Sequence, residues 1–431
     1  MKTIKYNRIS KKKKSSLLDR PSIDMDKTYR IVQPILNDIK KNGLKSVLKY
    51  SKKFDGFAEK QIKVTKKEFE RSENLVSAYF KKSVKIAINN IKKFHKLQLP
   101  KSYSVETMHG IKCAREFRPI ENVGLYIPGG TAILPSTLMM LAVPAIIAKC
   151  KRIVVCSPTN EKISPEVLYV AKFLGITEFY KVGGSQAIGL LAYGTTKIKK
   201  VDKIFGPGNQ YVTAAKALVS IDPKGCAIDM LAGPSEVLVI ADEYANPKFI
   251  AADLLSQAEH GNDSQVILCT TSKELATKVI EEIKKQTKLL PRKLIVQEAL
   301  KNSRIIIFNK IEEAICFSNS YAPEHLIINL RKVKSYLPKI KNSGSVFVGK
   351  YSPESVGDYA SGTNHSLPTY GYAKSNGGVS VEQFMKGITF QGLSKKGLEN
   401  ISTTVIHLAE TEKLQAHANA VKVRLEKCLK N

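Results

Sequence analysis

The chain has 431 residues, 43% of them hydrophobic, which is enough for two to four domains with sizeable cores. Lys and Arg outnumber Asp and Glu by 69 to 38, a formal charge of +31. The lysines recur in pairs and short runs with no zinc-finger spacing or RNA-binding aromatic signature, so they read as solvated helix faces rather than a specific nucleic-acid site. Seven cysteines form no C-x-x-C pair. Neither an apolar signal region nor an apolar run near the ~20 residues of a membrane span is present, which points to a soluble, cytoplasmic protein with no membrane partner.

Residues 1–25 are polar and basic and read as an arm that packs on something else. Residues 26–100 read as mostly helical. Thr65-Lys-Lys-Glu68 fits a capping box, and one pattern runs on through Phe69, Val76, Phe80, Val84, Ile88 and Ile91 to a stop at Pro100. His95 reads as an ordinary surface or half-buried histidine. Residues 101–120 alternate and read as extended, with His109-Gly110 a hairpin turn. From 121 to 236 a strand, a glycine turn and a helix recur: Val123-Gly-Leu-Tyr-Ile-Pro-Gly-Gly130, Phe179-Tyr-Lys-Val-Gly-Gly184 and Lys203-Ile-Phe-Gly-Pro-Gly-Asn209. That repetition predicts a parallel α/β sheet, with ligands at the carboxyl ends of its strands. Gly206-Pro-Gly208 begins like the dinucleotide fingerprint, but Tyr211 replaces the third glycine, so the standard motif is absent.

Residues 237–349 repeat the pattern as a second α/β sheet, with strands at 237–241, 265–270, 304–308 and 345–348. Residues 350–390 read as irregular and glycine-rich. The rest is helical and basic, apart from a strand-like run over 403–408.

The chemistry concentrates in the second half. Asn246-Pro247 starts a helix that Gly261 ends, so Gln257 and His260 share one face near its C-terminal end. Such a pair alone is more often surface polarity. Glu324-His325, however, stands at a strand mouth, where adjacent acid and base side chains can divide two proton transfers. His365 and His417 fall in polar loops or at helix ends. With Gln257, His260 and Asp358 they make a mixed N/O donor set suited to a zinc-class ion. No zinc-protease, P-loop, serine-hydrolase or kinase motif is present.

Seven stretches carry a specific resemblance: Val123-Gly-Leu-Tyr-Ile-Pro-Gly-Gly130, Val182-Gly-Gly-Ser-Gln-Ala-Ile188, Lys203-Ile-Phe-Gly-Pro-Gly-Asn209, Leu231-Ala-Gly-Pro-Ser-Glu236, Ser256-Gln-Ala-Glu-His260, Ala322-Pro-Glu-His-Leu326 and Val356-Gly-Asp-Tyr359, followed by Glu412 and His417. In this order the chain resembles the histidinol dehydrogenase family along essentially its whole length. The resemblance implies oxidation of L-histidinol to L-histidine by way of the aldehyde, with two NAD and one Zn(2+) per subunit. It implies Gln257, His260, Asp358 and His417 as metal ligands that also meet the substrate, and Glu324 and His325 as the catalytic pair. His325 would be neutral near pH 7 and would also touch the substrate. Ser235, His365 and Glu412 would be further substrate contacts, and Tyr126, Gln186 and Asn209 the NAD site. The implied fold is α/β: two incomplete Rossmann-like domains, parallel sheets flanked by helices, one inserted in the other, plus small tail domains. The boundaries read as an arm, 1–25, packing with the C-terminal tail; a first Rossmann-like domain, 26–125 with 237–379; an inserted nucleotide-side domain, 126–236; and a tail and dimerisation region, 380–431. The family is a homodimer whose tail brings Glu412 and His417 into the partner's site.

Overall fold

The structure is a computed structural model that describes residues 1–21, 24–57, 59–129, 134–231 and 233–426. Gly130 and Ala232, from two of the motifs above, lie outside the described residues. The chain divides into two compact units: Met1–Gln98 with Ile120–Phe384, and Leu99–Pro119 with Met385–Asn431. Among the described residues no helix is long and apolar enough to cross a membrane.

Two parallel sheets build the first unit, as the repeated strand, turn and helix predict. One has the order Glu178–Lys181, Arg152–Ser157, Asn122–Tyr126, Lys203–Phe205, Ala227–Ile228. Its direction of winding reverses at Asn122–Tyr126, which pairs with Arg152–Ser157 on one side and Lys203–Phe205 on the other. Such a reversal opens a crevice at the carboxyl ends of the strands. The other sheet has the order Lys2–Lys5, Arg304–Ile307, Gln265–Thr270, Glu236–Ala241, His325–Asn329, Ser345–Val348, again parallel throughout. Glu236–Ala241 and Gln265–Thr270 are buried at every position, as expected of central strands covered on both faces. The N-terminal arm closes one edge of this sheet, with Lys2 opposite Arg304 and Lys5 opposite Ile307.

Several expectations need correction. The helical pattern from Phe69 to Ile91 is two helices, Lys66–Leu75 and Ala78–Lys96. Val76 turns extended, and the Ser77 side chain caps the second helix by accepting from the Phe80 N–H at 3.1 Å. The capping box at Thr65 and Glu68 is present. His95 is fully buried: its Nδ1–H donates to the Ile91 carbonyl at 2.9 Å, and Nε2 accepts from Asn364 at 3.3 Å. The helices Met25–Asn42 and Leu44–Asp55 cover the sheet around Asn122–Tyr126 rather than the one around Glu236–Ala241. Val32, Leu36 and Ile39 recur at helical spacing and pack into the core with Ala187, Ile188 and Leu191. Gly189 permits this approach, because a Cβ there would stand 2.9 Å from Ile39.

The second unit is an antiparallel sheet of Tyr103–Met108, Ile111–Pro119 and Met385–Leu393, followed by two helices. His109-Gly110 is the hairpin turn, with Gly110 at φ 79°. The hairpin therefore joins the tail, where the sequence had placed it in the first Rossmann-like domain. Met385–Leu393 is a strand where an irregular segment was expected. The strand-like run at 403–408 lies within the helix Lys395–Thr411, which Ser394 caps by accepting from the Gly397 N–H at 3.0 Å.

Candidate functional site

At the carboxyl edge of the five-stranded sheet lies a cleft of about 750 Å³ whose walls include Asp55, Tyr126, Gly129, Pro158, Gln186 and Asn209. It brings together the three residues predicted for a nucleotide. Tyr126 ends its strand, and its hydroxyl accepts from the Gly184 N–H at 3.1 Å. Gln186, in the first turn of the helix Gly184–Tyr193, donates through Nε2 to Asp55 at 2.9 Å. Its Oε1 is buried without a hydrogen-bond partner among the described residues, so a bound donor would satisfy it. Asn209 caps the helix Gln210–Ile221: its side-chain oxygen accepts from the Tyr211 and Val212 N–H groups, each at 3.1 Å. Two helix N-termini thus border the cleft, the geometry that favours phosphate. Behind them, Gly206 holds φ 126°, and a Cβ there would stand 2.1 Å from the Tyr126 carbonyl oxygen. Buried Lys216 donates to the Gly206 carbonyl at 2.8 Å and pairs with Asp229 at 2.5 Å.

A second cavity, about 510 Å³, runs from Pro128 and Asn209 to Ser235, Gln257, His260, Glu324, His325, Asp358 and His365. These residues gather at the amino ends of the six-stranded sheet, because the helix Pro247–Ala258 returns to that edge before the strand Gln265–Thr270 starts. The residues predicted for the nucleotide thus line the carboxyl edge of the five-stranded sheet, and those predicted for the acid–base chemistry the amino edge of the six-stranded one.

Glu324 and His325 are almost fully buried, and Glu324 Oε2 stands 3.5 Å from His325 Nδ1. Because Nδ1 lies 3.2 Å from the Glu236 carbonyl, which can only accept, the ring proton is assigned to Nδ1. Nε2 has no hydrogen bond among the described residues and stands 3.4 Å from Asp358 Oδ1. His365 follows the same logic: its Nδ1–H donates to the Asp358 carbonyl at 2.9 Å. The Gln257 amide is assigned with its nitrogen donating to both oxygens of Glu354 at 3.1 Å, which leaves its oxygen for a ligand.

Burial disfavours the His325 imidazolium, yet Glu324, Asp358 and Glu354 outweigh it and push its pKa well above the ordinary value. The neutral imidazole expected at pH 7 is therefore not what the protein side chains alone favour. Burial raises Glu324, with His325 opposing. It also pushes Glu354 up to about 8. Asp358 goes the other way: burial works against its charge, but contact with His325 and the fields of His365 and His260 hold it below the usual carboxylate range.

Glu412 and His417 belong to the other compact unit. Glu412 follows the helix Lys395–Thr411, His417 lies in Gln415–Glu426, and both are exposed. Among the described residues no three His, Cys, Asp or Glu side chains form a group able to hold a metal ion by themselves. Within the first unit the proposed donors are an amide oxygen, an imidazole and a carboxylate, a set that fits a zinc-class ion but leaves room for further ligands. The sequence reading missed Glu354 and Asp55, although Glu354 lies four residues before Asp358 on the helix Glu354–Tyr359, a spacing that shares one helical face.

Fold and cavities define a two-sheet, Rossmann-like α/β protein with a buried glutamate–histidine pair beside an open cleft. A family model described as Histidinol dehydrogenase matches residues 18–425. Histidinol dehydrogenase of Vibrio parahaemolyticus is 49% identical over 432 residues, covering 100% of both chains. That of Campylobacter jejuni is 49% identical over 427 residues, covering 99% of each. The crystal structure of histidinol dehydrogenase from Elizabethkingia anophelis superposes with a TM-score of 0.93 at 48% identity, covering 99% of this chain and 98% of that one. The chain belongs to the histidinol dehydrogenase family.

Proposed function

We propose that this chain oxidises L-histidinol to L-histidine by way of L-histidinal, with NAD as the oxidant and zinc as the resident metal. Family membership supports the substrate. The observation that carries the chemistry is the buried pair Glu324 and His325 on the same cavity as Gln257, His260 and Asp358, with Asn209 lining both this cavity and the nucleotide cleft. A zinc ion, when bound, supplies Lewis-acid charge and a fixed grip on the imidazole and amine of the substrate; NAD, when bound, supplies the hydride acceptor. Gln257, His260 and Asp358 hold the ion, and Ser235 and His365 contact the substrate. Tyr126, Gln186 and Asn209 hold the nucleotide.

In its neutral form His325 is the base: the Glu236 carbonyl holds the proton on Nδ1, which leaves Nε2 to take another. Its Nε2 removes the hydroxyl proton as hydride leaves the carbinol carbon. Glu324 then takes a proton from the water that adds to the aldehyde; departure of a second hydride, for which a second NAD would be the acceptor, gives the carboxylic acid, which loses its proton to solvent as the carboxylate. Glu412 and His417 of the partner subunit complete the site in a homodimer.

The test couples metal analysis of the purified protein to NAD reduction. The expected result is bound zinc, NADH formed with L-histidinol, and histidine as product. Vigorous oxidation of other small polar alcohols with none of histidinol would overturn the reading.

A further inference from the structure

The acid–base pair is braced from behind by a residue that does not face the cavity. Arg20, near the end of the N-terminal arm, reaches the amino edge of the six-stranded sheet. Its Nε donates to Glu236 Oε1 at 2.5 Å and its Nη2 to Oε2 at 3.0 Å. The same Nη2 approaches the carbonyls of Tyr321 at 2.7 Å and Ala322 at 3.3 Å, and the guanidinium lies 3.9 Å from the centroid of the Tyr321 ring. The two side chains are 11% and 3% exposed, so this is a buried, two-pronged ion pair.

Both ends of the brace lead to the pair. Ala322 holds φ 53°, a left-handed conformation that disfavours alanine. It is followed directly by Pro323, Glu324 and His325, and the Arg20 contacts hold the two carbonyls of that turn. Glu236 meets both members of the pair through its backbone: its N–H donates to Glu324 Oε2 at 2.8 Å, and its carbonyl accepts from His325 Nδ1 at 3.2 Å. Its side chain also accepts from the Tyr370 N–H at 2.8 Å. Neither Arg20 nor Glu236 lines the cavity with His260 and Asp358.

We propose that Arg20 and Glu236 form a positioning pair that fixes the Ala322 turn and the Glu236 backbone, and so sets the direction of Glu324 and the tautomer of His325. The proposal rests on the reading of Glu324 and His325 as the acid–base pair. The guanidinium fork is essential to it, because an ammonium cannot span both carboxylate oxygens and two carbonyls at once.

The test is a double-mutant cycle on the zinc-loaded, full-length protein. Arg20→Ala should lower kcat for histidinol by about tenfold or more, with KM changed by less than about threefold. Arg20→Lys should recover only part of that loss. In the Glu324→Gln, His325→Asn background, Arg20→Ala should lower the residual rate by less than about twofold, since the groups it positions are already gone. Equal fractional losses in the two backgrounds, or an unchanged kcat in Arg20→Ala, would overturn the proposal. Should Arg20→Ala fold poorly, Arg20→Lys in the same two backgrounds gives the same comparison. If Glu324→Gln, His325→Asn alone retains the parent rate, the reading of the acid–base pair fails instead.

Discussion

Asp253 shows how one buried side chain makes the stability of the protein depend on pH. It lies on the helix Pro247–Ala258, 9% exposed, and burial pushes its carboxyl up from 3.8 to about 7. In the unfolded chain it ionises near 3.8, while in the folded chain it stays neutral until about 7. The folded state therefore binds the proton more tightly across that window. The favourable contribution is complete below the unfolded value and is lost as pH rises through the folded one. Asp253→Asn removes this dependence, so the variant should gain on the parent by a few degrees in Tm between about pH 4 and pH 8. Melting curves across that range check it, and parallel Tm profiles would contradict it. At this scale the sequence was informative where chemistry sits at a strand mouth or helix end, as with Gln257, His260, Glu324, His325 and Asp358, all of which line one cavity. It was silent about Arg20 and Asp55, whose partners Glu236 and Gln186 are remote in the chain. It could not show the field on His325, because the three carboxylates that raise its pKa converge only in the fold.

Between residue and sheet, the turn after Lys203–Phe205 is held by one buried lysine. Lys216, 2% exposed in the helix Gln210–Ile221, ties the Gly206 carbonyl to Asp229, and Asp229 in turn accepts from the Gly206 N–H at 2.8 Å. Lys216→Met keeps the bulk and strands a buried carboxylate, which should lower stability by about 3–5 kcal/mol. Denaturant unfolding measures it, and a loss below about 1 kcal/mol would contradict the lock. Glycine turns such as this one were legible because glycine marks the strand end whatever surrounds it. The break at Val76 and Ser77 was not, because Phe69 to Ile91 keeps helical spacing across it. The helix over 403–408 was missed for the opposite reason: Thr403, Thr404, Val405 and Ile406 favour strands, and the Ser394 cap and the surrounding helix override them.

For the molecule as a whole, the first unit joins opposite edges of two parallel sheets. The carboxyl edge of one carries two helix N-termini beside the cleft with Tyr126, Gln186 and Asn209, and the amino edge of the other carries Glu324 and His325. The two-sheet plan could be read from alternating strand and helix patterns, and so could the place of Glu324 and His325 at the amino end of the strand His325–Asn329. The central claim is that His260 and His417, far apart in sequence, serve the same cation in a homodimer. The most direct test is complementation between two inactive chains. A His260→Ala chain and a His417→Ala chain, mixed, dissociated and reassociated, should regain up to about a quarter of the parent histidinol oxidation if random pairing gives half mixed dimers with one intact site each. No recovery in verified mixed dimers would contradict the claim.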